Sequence, residues 1–275
     1  MKPAAFDYVR AESLGEALDV LAAEGADTNI LAGGQTLVPM LSMRMARPRV
    51  VLDIMRLPGL DRINIADNAI RVGATVRQRA LERHAGLGKS QPLLAAALPW
   101  IGHAQTRSRG TVCGSVANAD PSAELPLILV ALGGEIELRS RRGARRVAAE
   151  GFFTGIMSTE RNDDELIEAV CFPVARVGTG YAFREIARRH GDFAIVACAA
   201  VVDAHKARLA IGGVADRPMV RELPLPDSAE VTGALDAFAN ALDARDDLHA
   251  PADYRRALVR RLGLQTLQEA AACRA

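Results

Sequence analysis

The chain has 275 residues, 49% of them hydrophobic, and its 34 Lys and Arg nearly balance 33 Asp and Glu. That length suits two or three small domains with a sizeable core, and a formal net charge of +1 gives no general attraction for nucleic acid or an anionic membrane. Aromatic residues make up 4%, too few for a base-stacking surface.

In chain order, the segment from Ser13 to Leu21 predicts a capped helix. Ser13 is the N-cap and Glu16 the answering carboxylate, while Leu14, Ala17, Leu18 and Leu21 share a face and Gly25 ends the helix. Asn29-Ile30-Leu31 reads as a short buried strand running into Gly33-Gly34, with a helix or turn over 37–45 and a second strand over 48–54. Ile63-Asn64-Ile65 and 69–73 alternate around Ala66-Asp67-Asn68, which predicts a hairpin. Helical spacing follows over 75–84, 93–98 and 124–132. Strands are expected over 135–140, 145–147 and 165–172, the last ending at Pro173. A boundary is expected near 173–180. Beyond it come a strand over 181–187, a strand or helix over 194–203, a strand over 208–213, and helices around 230–242 and 254–272. Strands and helices are segregated, so the class is α+β. The basic run from Arg139 to Arg146 reads as a solvated hairpin turn.

The cysteines, Cys113, Cys171, Cys198 and Cys273, are scattered, with no C-x-x-C pair, so no metal or iron–sulfur site is expected in this chain. No apolar h-region follows Met1 to Phe6, and no apolar run approaches the length of a membrane span. A cytoplasmic location is the expectation.

Two stretches of small residues ending in a hydroxyl carry the functional signal: Ala32-Gly33-Gly34-Gln35-Thr36 and Thr111-Val112-Cys113-Gly114-Ser115. Glycine permits positive φ and close approach of another molecule, and successive N–H groups in such a turn form a nest for phosphate oxygens. The bland alternative for each is an ordinary turn. Neither stretch fits the G-x-G-x-x-G or P-loop pattern. Together they suggest one diphosphate gripped from two sides.

The first stretch, continued through Leu37-Val38-Pro39, resembles the AGGQSLxP loop of one flavoprotein family. The segment from Thr106 to Pro121 is similar to that family's RNRGTxGGSxAxADP signature, and Phe183 to Ala194, containing Arg188-Arg189-His190-Gly191-Asp192-Phe193, is similar to its third. On these residues, in family order from about residue 3 onward, the chain resembles the FAD-binding (medium) subunit of the molybdenum hydroxylases, of the carbon monoxide, xanthine and nicotine dehydrogenase types. Leu209 to Ala215 and a late Arg-rich helix resemble the family's C-terminal domain.

The resemblance implies a PCMH-type FAD-binding fold of two α/β subdomains, about 1–57 and 58–175, followed by a small C-terminal α/β domain over 176–275. It implies FAD in this chain, a large partner subunit with molybdenum–molybdopterin, and a small one with two [2Fe–2S] clusters. The assembly would be a dimer of heterotrimers passing electrons to an external acceptor. Carried over residue by residue, the site comprises Ala32, Gly33, Gly34, Gln35 and Thr36, and Thr111, Val112, Cys113, Gly114 and Ser115, on the diphosphate. Glu124 falls on a ribose position, Ile101 and Leu166 on apolar contacts, and Arg184 and Phe193 beside the isoalloxazine. No catalytic residue is assigned, His103 and His190 included. Core packing is the alternative for Ile101, Leu166 and Phe193, a helix N-terminal carboxylate for Glu124, and a solvated strand residue for Arg184. Cys113 departs from the family's usual Gly, and if it needs φ > 0 a strain of about 1 kcal/mol or more is expected. Two rival readings stand beside this one: a self-sufficient flavin oxidase of the same fold, and an assembly subunit that has lost FAD.

Overall fold

The computed structural model describes residues 2–274, so Met1 and Ala275 lie outside the described residues. Its strands form sheets of three, five and four strands and a two-stranded ribbon.

The first unit contains β1 (Asp7–Arg10), α1 (Leu14–Glu24), β2 (Thr28–Leu31), α2 (Leu37–Ser42) and β3 (Val50–Asp53). The sheet is parallel with order β1-β3-β2. Val50, Val51 and Leu52 are buried because β3 is the central strand. β1 was not legible in the sequence: it is a mostly exposed edge strand without apolar alternation. Ser13 Oγ accepts from the Glu16 N–H at 3.1 Å. Glu16 Oε2 accepts from the Glu12 N–H at 2.8 Å, one residue earlier than a capping box predicts. Leu18, Leu21, Leu52 and Ile54 form the core of this unit.

The second unit opens with the hairpin β4 (Ile63–Ala66) and β5 (Ala69–Gly73). Asp67 and Asn68 both have φ > 0, the backbone of a two-residue turn matched to strand twist. Short helices follow: α3 (Gln78–Glu82), α4 (Leu87–Ser90), α5 (Pro92–Ala97), α6 (Ala104–Arg109), α7 (Val112–Asn118) and α8 (Glu124–Leu132). Then come β6 (Glu135–Ser140), β7 (Gly143–Ala148), α9 (Ala149–Phe152), the ribbon β8 (Phe153–Gly155) and β9 (Ser158–Thr159), and β10 (Leu166–Pro173). The antiparallel sheet has order β4-β5-β10-β6-β7. The basic turn after β6 is stitched down: Arg139 pairs with Glu168, Arg145 with Glu165, Arg146 with Glu137, and Arg141 with Asp19 of α1. Its charge is spent on neighbours.

The third unit is an antiparallel meander of β11 (Gly180–Ile186), β12 (Val196–Val202), β13 (Ala207–Gly212) and β14 (Met219–Leu223), with α10 (Val231–Ala241) and α11 (Ala252–Ala272) on one face. The segment left open between strand and helix is therefore strand β12. The other face of the meander packs on α8, whose residues Glu124 to Ala131 are all buried. A helix apolar all round belongs between two layers, and α8 occupies that place. Arg208 of β13 donates to the carbonyls of Val130 and Ala131, both at 2.9 Å, and so caps the C-terminal end of α8 across the unit boundary. Pro121, just before α8, accepts from the Gly213 N–H at 2.8 Å.

Candidate cofactor site

The two small-residue stretches meet. A Cβ on Gly33 would stand 2.4 Å from the Arg109 carbonyl oxygen and 2.7 Å from the Gly110 Cα, so the loop after β2 rests directly on the chain entering α7. Gly34 has φ +72°, where L side chains are strained. The N–H groups of Gly33, Gly34, Gln35 and Thr36 make no backbone hydrogen bond among the described residues, and the Thr36 hydroxyl makes no cap. Gln35 Nε2 donates to the Gly33 carbonyl at 3.3 Å, bracing the loop. Gln35 and Thr36 are exposed, and Ala32, Gly33 and Gly34 half-buried. A run of donors without internal partners, at a turn held open by two glycines, fits the oxygens of a diphosphate.

The second stretch differs from the expected loop. It is the start of α7, with Thr111 as N-cap. Thr111 Oγ1 accepts from the Gly114 N–H at 3.1 Å, and a Cβ on Gly114 would come within 2.5 Å of that oxygen. The buried Thr111 hydroxyl thus serves the helix, and Gly114 is glycine to admit it. Val112 is wholly buried and its N–H donates to the Val76 carbonyl at 3.0 Å. The Ser115 N–H donates to the Thr111 carbonyl, leaving the half-buried Ser115 hydroxyl as the polar group this turn offers outward.

Cys113 is helical, not left-handed, so the strain anticipated there is absent. Its thiol lies in the core 3.4 Å from the Val72 carbonyl, and burial pushes its pKa up to about 12. It is inert packing, not a reactive thiol.

Glu124 is the first residue of α8 and only 4% exposed. Burial, reinforced by Asp120, raises its pKa to about 7. Ile101 is buried and its carbonyl accepts from Arg107 at 2.9 Å. Leu166 is buried in the core of the first unit. Phe193 is 64% exposed on the loop after β11, so it is not a core residue. Arg184, on β11, lines a cleft with Trp100 and Phe183. Its Nε donates to Glu269 Oε2 of α11 at 2.7 Å, on the sheet face that packs on the helices.

Sequence reasoning passed over three supports. Arg107, nearly buried, binds both oxygens of Glu82 and the carbonyls of Pro99, Ile101 and Gly102. Gly191 lets the 187–193 loop close on the Gly102 carbonyl and His103 ring, each 2.8 Å from where its Cβ would stand. Glu185, beside Arg184 in sequence, is buried with both carboxylate oxygens unpartnered. An acidic residue inside an apolar strand was the available signal.

Residues 4–175 match the family model "FAD binding domain in molybdopterin dehydrogenase", and residues 181–270 match "CO dehydrogenase flavoprotein C-terminal domain". The chain is 38% identical to the 6-hydroxypseudooxynicotine dehydrogenase complex subunit alpha of Paenarthrobacter nicotinovorans, over 98% of this chain and 96% of that protein. A carbon monoxide dehydrogenase structure from Hydrogenophaga pseudoflava superposes with a TM-score of 0.94 at 30% identity, covering 100% of both chains. Quinoline 2-oxidoreductase from Pseudomonas putida 86 gives 0.91 at 30% identity, covering 99% of each. The match of 4–175, the full-length likeness to dehydrogenase subunits and the fold of all three units agree: this chain belongs to the FAD-binding medium-subunit family of the molybdopterin-dependent dehydrogenases.

Proposed function

We propose that this chain is the FAD-carrying electron-transfer subunit of a heterotrimeric molybdenum hydroxylase, taking electrons from the [2Fe–2S] clusters of a small partner subunit and delivering them to an external acceptor. The large partner would hold molybdenum–molybdopterin and perform the hydroxylation, and the whole would be a dimer of heterotrimers. We assign 1–175 to the FAD-binding domain and 176–275 to the C-terminal domain. Four free cysteines, three of them buried, suit a reducing compartment such as the cytoplasm.

The observation that carries the cofactor reading is the unspent row of N–H groups from Gly33 to Thr36, braced on Arg109 and Gly110. These donors and the Thr36 hydroxyl would hold diphosphate oxygens on one side, and the Ser115 hydroxyl would approach from the other. Ala32 and Gln35 shape the first turn. Thr111, Val112, Cys113 and Gly114 act by fixing the start of α7, and Ile101 and Leu166 by packing behind the site. Glu124, as carboxylate, accepts ribose hydroxyls. Phe193 covers one face of the ring system and limits access of the acceptor. FAD, when bound, supplies a centre able to exchange electrons singly or in pairs. Cys113, the departure from the family's usual Gly, packs in the core and lends no support to a subunit that has lost FAD.

The test is purification of the full chain, alone and with both partner subunits. The expected result is about one FAD per chain by visible absorbance, no substrate oxidation by the chain alone, and flavin reduction by substrate only in the complete assembly. A colourless chain that takes up no added FAD would overturn the reading. Substrate turnover by the isolated chain would replace it with the oxidase alternative.

A further inference from the structure

We infer that Arg255 is a positioning residue for the FAD site. One buried guanidinium on α11 fixes both backbone segments through which the C-terminal unit reaches the cofactor: the segment that carries Phe193 and the turn that supports the approach to Glu124. The inference rests on the cofactor reading above and deepens it.

Arg255 lies in the first turn of α11 and is 2% exposed. Its Nη1 donates to the carbonyls of Ile195 and Gly213, both at 2.7 Å, and its Nη2 donates to Asp247 Oδ2 at 2.6 Å. Asp247 is held in turn: its Oδ1 accepts from the N–H groups of His249 and Ala250, at 2.8 and 3.0 Å. Ile195 immediately precedes β12 and Gly213 immediately follows β13. Ala197 pairs with Gly212, so the guanidinium bridges two neighbouring strand ends. The planar fork of arginine, unlike the ammonium of lysine, aims separate donors at two carbonyls and a carboxylate.

Both strand ends lead to the site. The Ile195 N–H donates to the Ile186 carbonyl at 2.8 Å and closes the base of the 187–194 loop. Phe193, largely exposed, has little packing of its own, so its place depends on that base. The Gly213 N–H donates to the Pro121 carbonyl at 2.8 Å, in the turn that leads to Glu124. Gly213 has φ +80°, and a Cβ there would stand 2.7 Å from the Ala194 carbonyl oxygen, so the two segments also touch each other. Holding Ile195 and Gly213 together therefore sets where Phe193 stands relative to the start of α8. Stability alone is a poor account of this arrangement. A buried guanidinium gives up its hydration, and apolar residues in such a place often serve a fold as well. Nε of Arg255 even lacks a partner among the described residues. What the guanidinium adds over apolar packing is direction, because each bond fixes one named carbonyl.

The experiment uses the FAD-stripped full chain and its only tryptophan, Trp100, whose ring lies 5.1 Å from that of His190 in the same loop. Arg255→Lys keeps the charge and loses the fork. Its FAD affinity, read by flavin fluorescence, should fall about tenfold while its far-ultraviolet circular dichroism stays that of wild type. Without FAD, acrylamide should quench Trp100 more strongly in the variant, because the loop beside it has loosened. Phe193→Ala and Glu124→Ala should each weaken FAD binding. Adding Arg255→Lys to the pair should weaken it little further, since the residues it positions are gone. Should Arg255→Lys fail to fold, Asp247→Asn takes its place: it keeps the acceptor without the charge, and both changes should appear, with affinity down about threefold. Wild-type FAD affinity in the variant, unchanged quenching of Trp100, or a loss that adds in full to those of Phe193→Ala and Glu124→Ala overturns the inference. Gly34→Ala separates it from the cofactor reading. If Gly34→Ala and Glu124→Ala both bind FAD as tightly as wild type, the reading falls and takes the inference with it. If both weaken FAD while Arg255→Lys does not, only the role of Arg255 falls.

Discussion

Gly33 lies so close to Arg109 that a methyl group on its Cα would stand 2.4 Å from the Arg109 carbonyl oxygen. The obstacle is backbone on a different unit, so no side-chain rotation relieves it. Gly33→Ala must push the two halves of the proposed diphosphate grip apart. Its FAD content should fall at least about tenfold, with a lower melting temperature. Gly88→Ala is the control: nothing lies within 4 Å of its Cβ, and in an exposed helical position alanine is better by about 0.5–1 kcal/mol. Equal FAD-to-protein ratios in the two variants would sink the proposed role of this contact.

Cys113 makes the opposite prediction. It packs against β5 and β10 and presents no thiol to solvent. Reagents for thiols should label the folded chain at exposed Cys273 and spare Cys113. Restoring the family residue with Cys113→Gly should cost about 1 kcal/mol in chemical denaturation, from helix propensity and lost packing, without improving FAD affinity. Rapid labelling of Cys113, or a gain in affinity on introducing glycine, would contradict its place in the core.

Arg184 is engaged with Glu269 by side chains that are 45% and 43% exposed. Exposed pairs contribute at most about 1 kcal/mol, so Arg184→Ala should scarcely move the melting temperature. Held by Glu269, the guanidinium charge is already balanced by a carboxylate. The flavin midpoint potential of Arg184→Ala should therefore equal that of wild type. A marked fall in potential would show that the guanidinium leaves Glu269 when FAD is bound, restoring the role the resemblance implies.

Periodicity made most elements readable because the residues that form them are amphipathic. α1 shows its buried stripe, and the β4–β5 hairpin shows Asp67-Asn68 between alternating strands. β1 and β14 were missed for a common reason: both are edge strands with few buried side chains, and their pairing is specified by tertiary packing. The first glycine loop was legible because its function is local. The second was misread as a loop because a helix N-terminus and a nest share the same local signature, small residues with a hydroxyl. Only the Thr111–Gly114 bond distinguishes them. Glu185 left one trace, an acidic residue inside an apolar strand, but its burial comes from packing against other elements.

Two buried carboxyls predict an acid-favoured fold. Both Glu124 and Glu185 have folded pKa values raised, to about 7 and about 8, above an unfolded value near roughly 4.3. The folded chain then binds protons that the unfolded chain releases. Their contribution is complete below about pH 4 and is lost as pH rises through 7 to 8, with a slope of at most about 1.4 kcal/mol per pH unit for each proton. Urea unfolding should show falling stability from about pH 5 to pH 8, and Glu185→Leu should flatten much of that fall. A flat wild-type profile over this window would contradict the burial of these carboxyls.

Arg107 gives the largest expected loss. Its side chain is 9% exposed and joins Glu82 on α3 to the 99–102 segment through two carboxylate bonds of 3.1 Å and three carbonyl bonds. Lysine has the charge but not the planar fork that serves several acceptors at once. Arg107→Ala leaves Glu82 without its main partner, though Arg79 still bonds it at 3.0 Å. Breaking a buried pair on one side costs about 3–5 kcal/mol, so denaturant midpoints should fall accordingly. Arg107→Lys should recover only part of that loss. Because the freed segment carries Ile101 and supports the 187–193 loop, limited proteolysis should cut near His103 in Arg107→Ala before any other site is exposed. Unaltered proteolysis with a lower midpoint would mean that Arg107 stabilises the fold without ordering the segment beside the proposed flavin site.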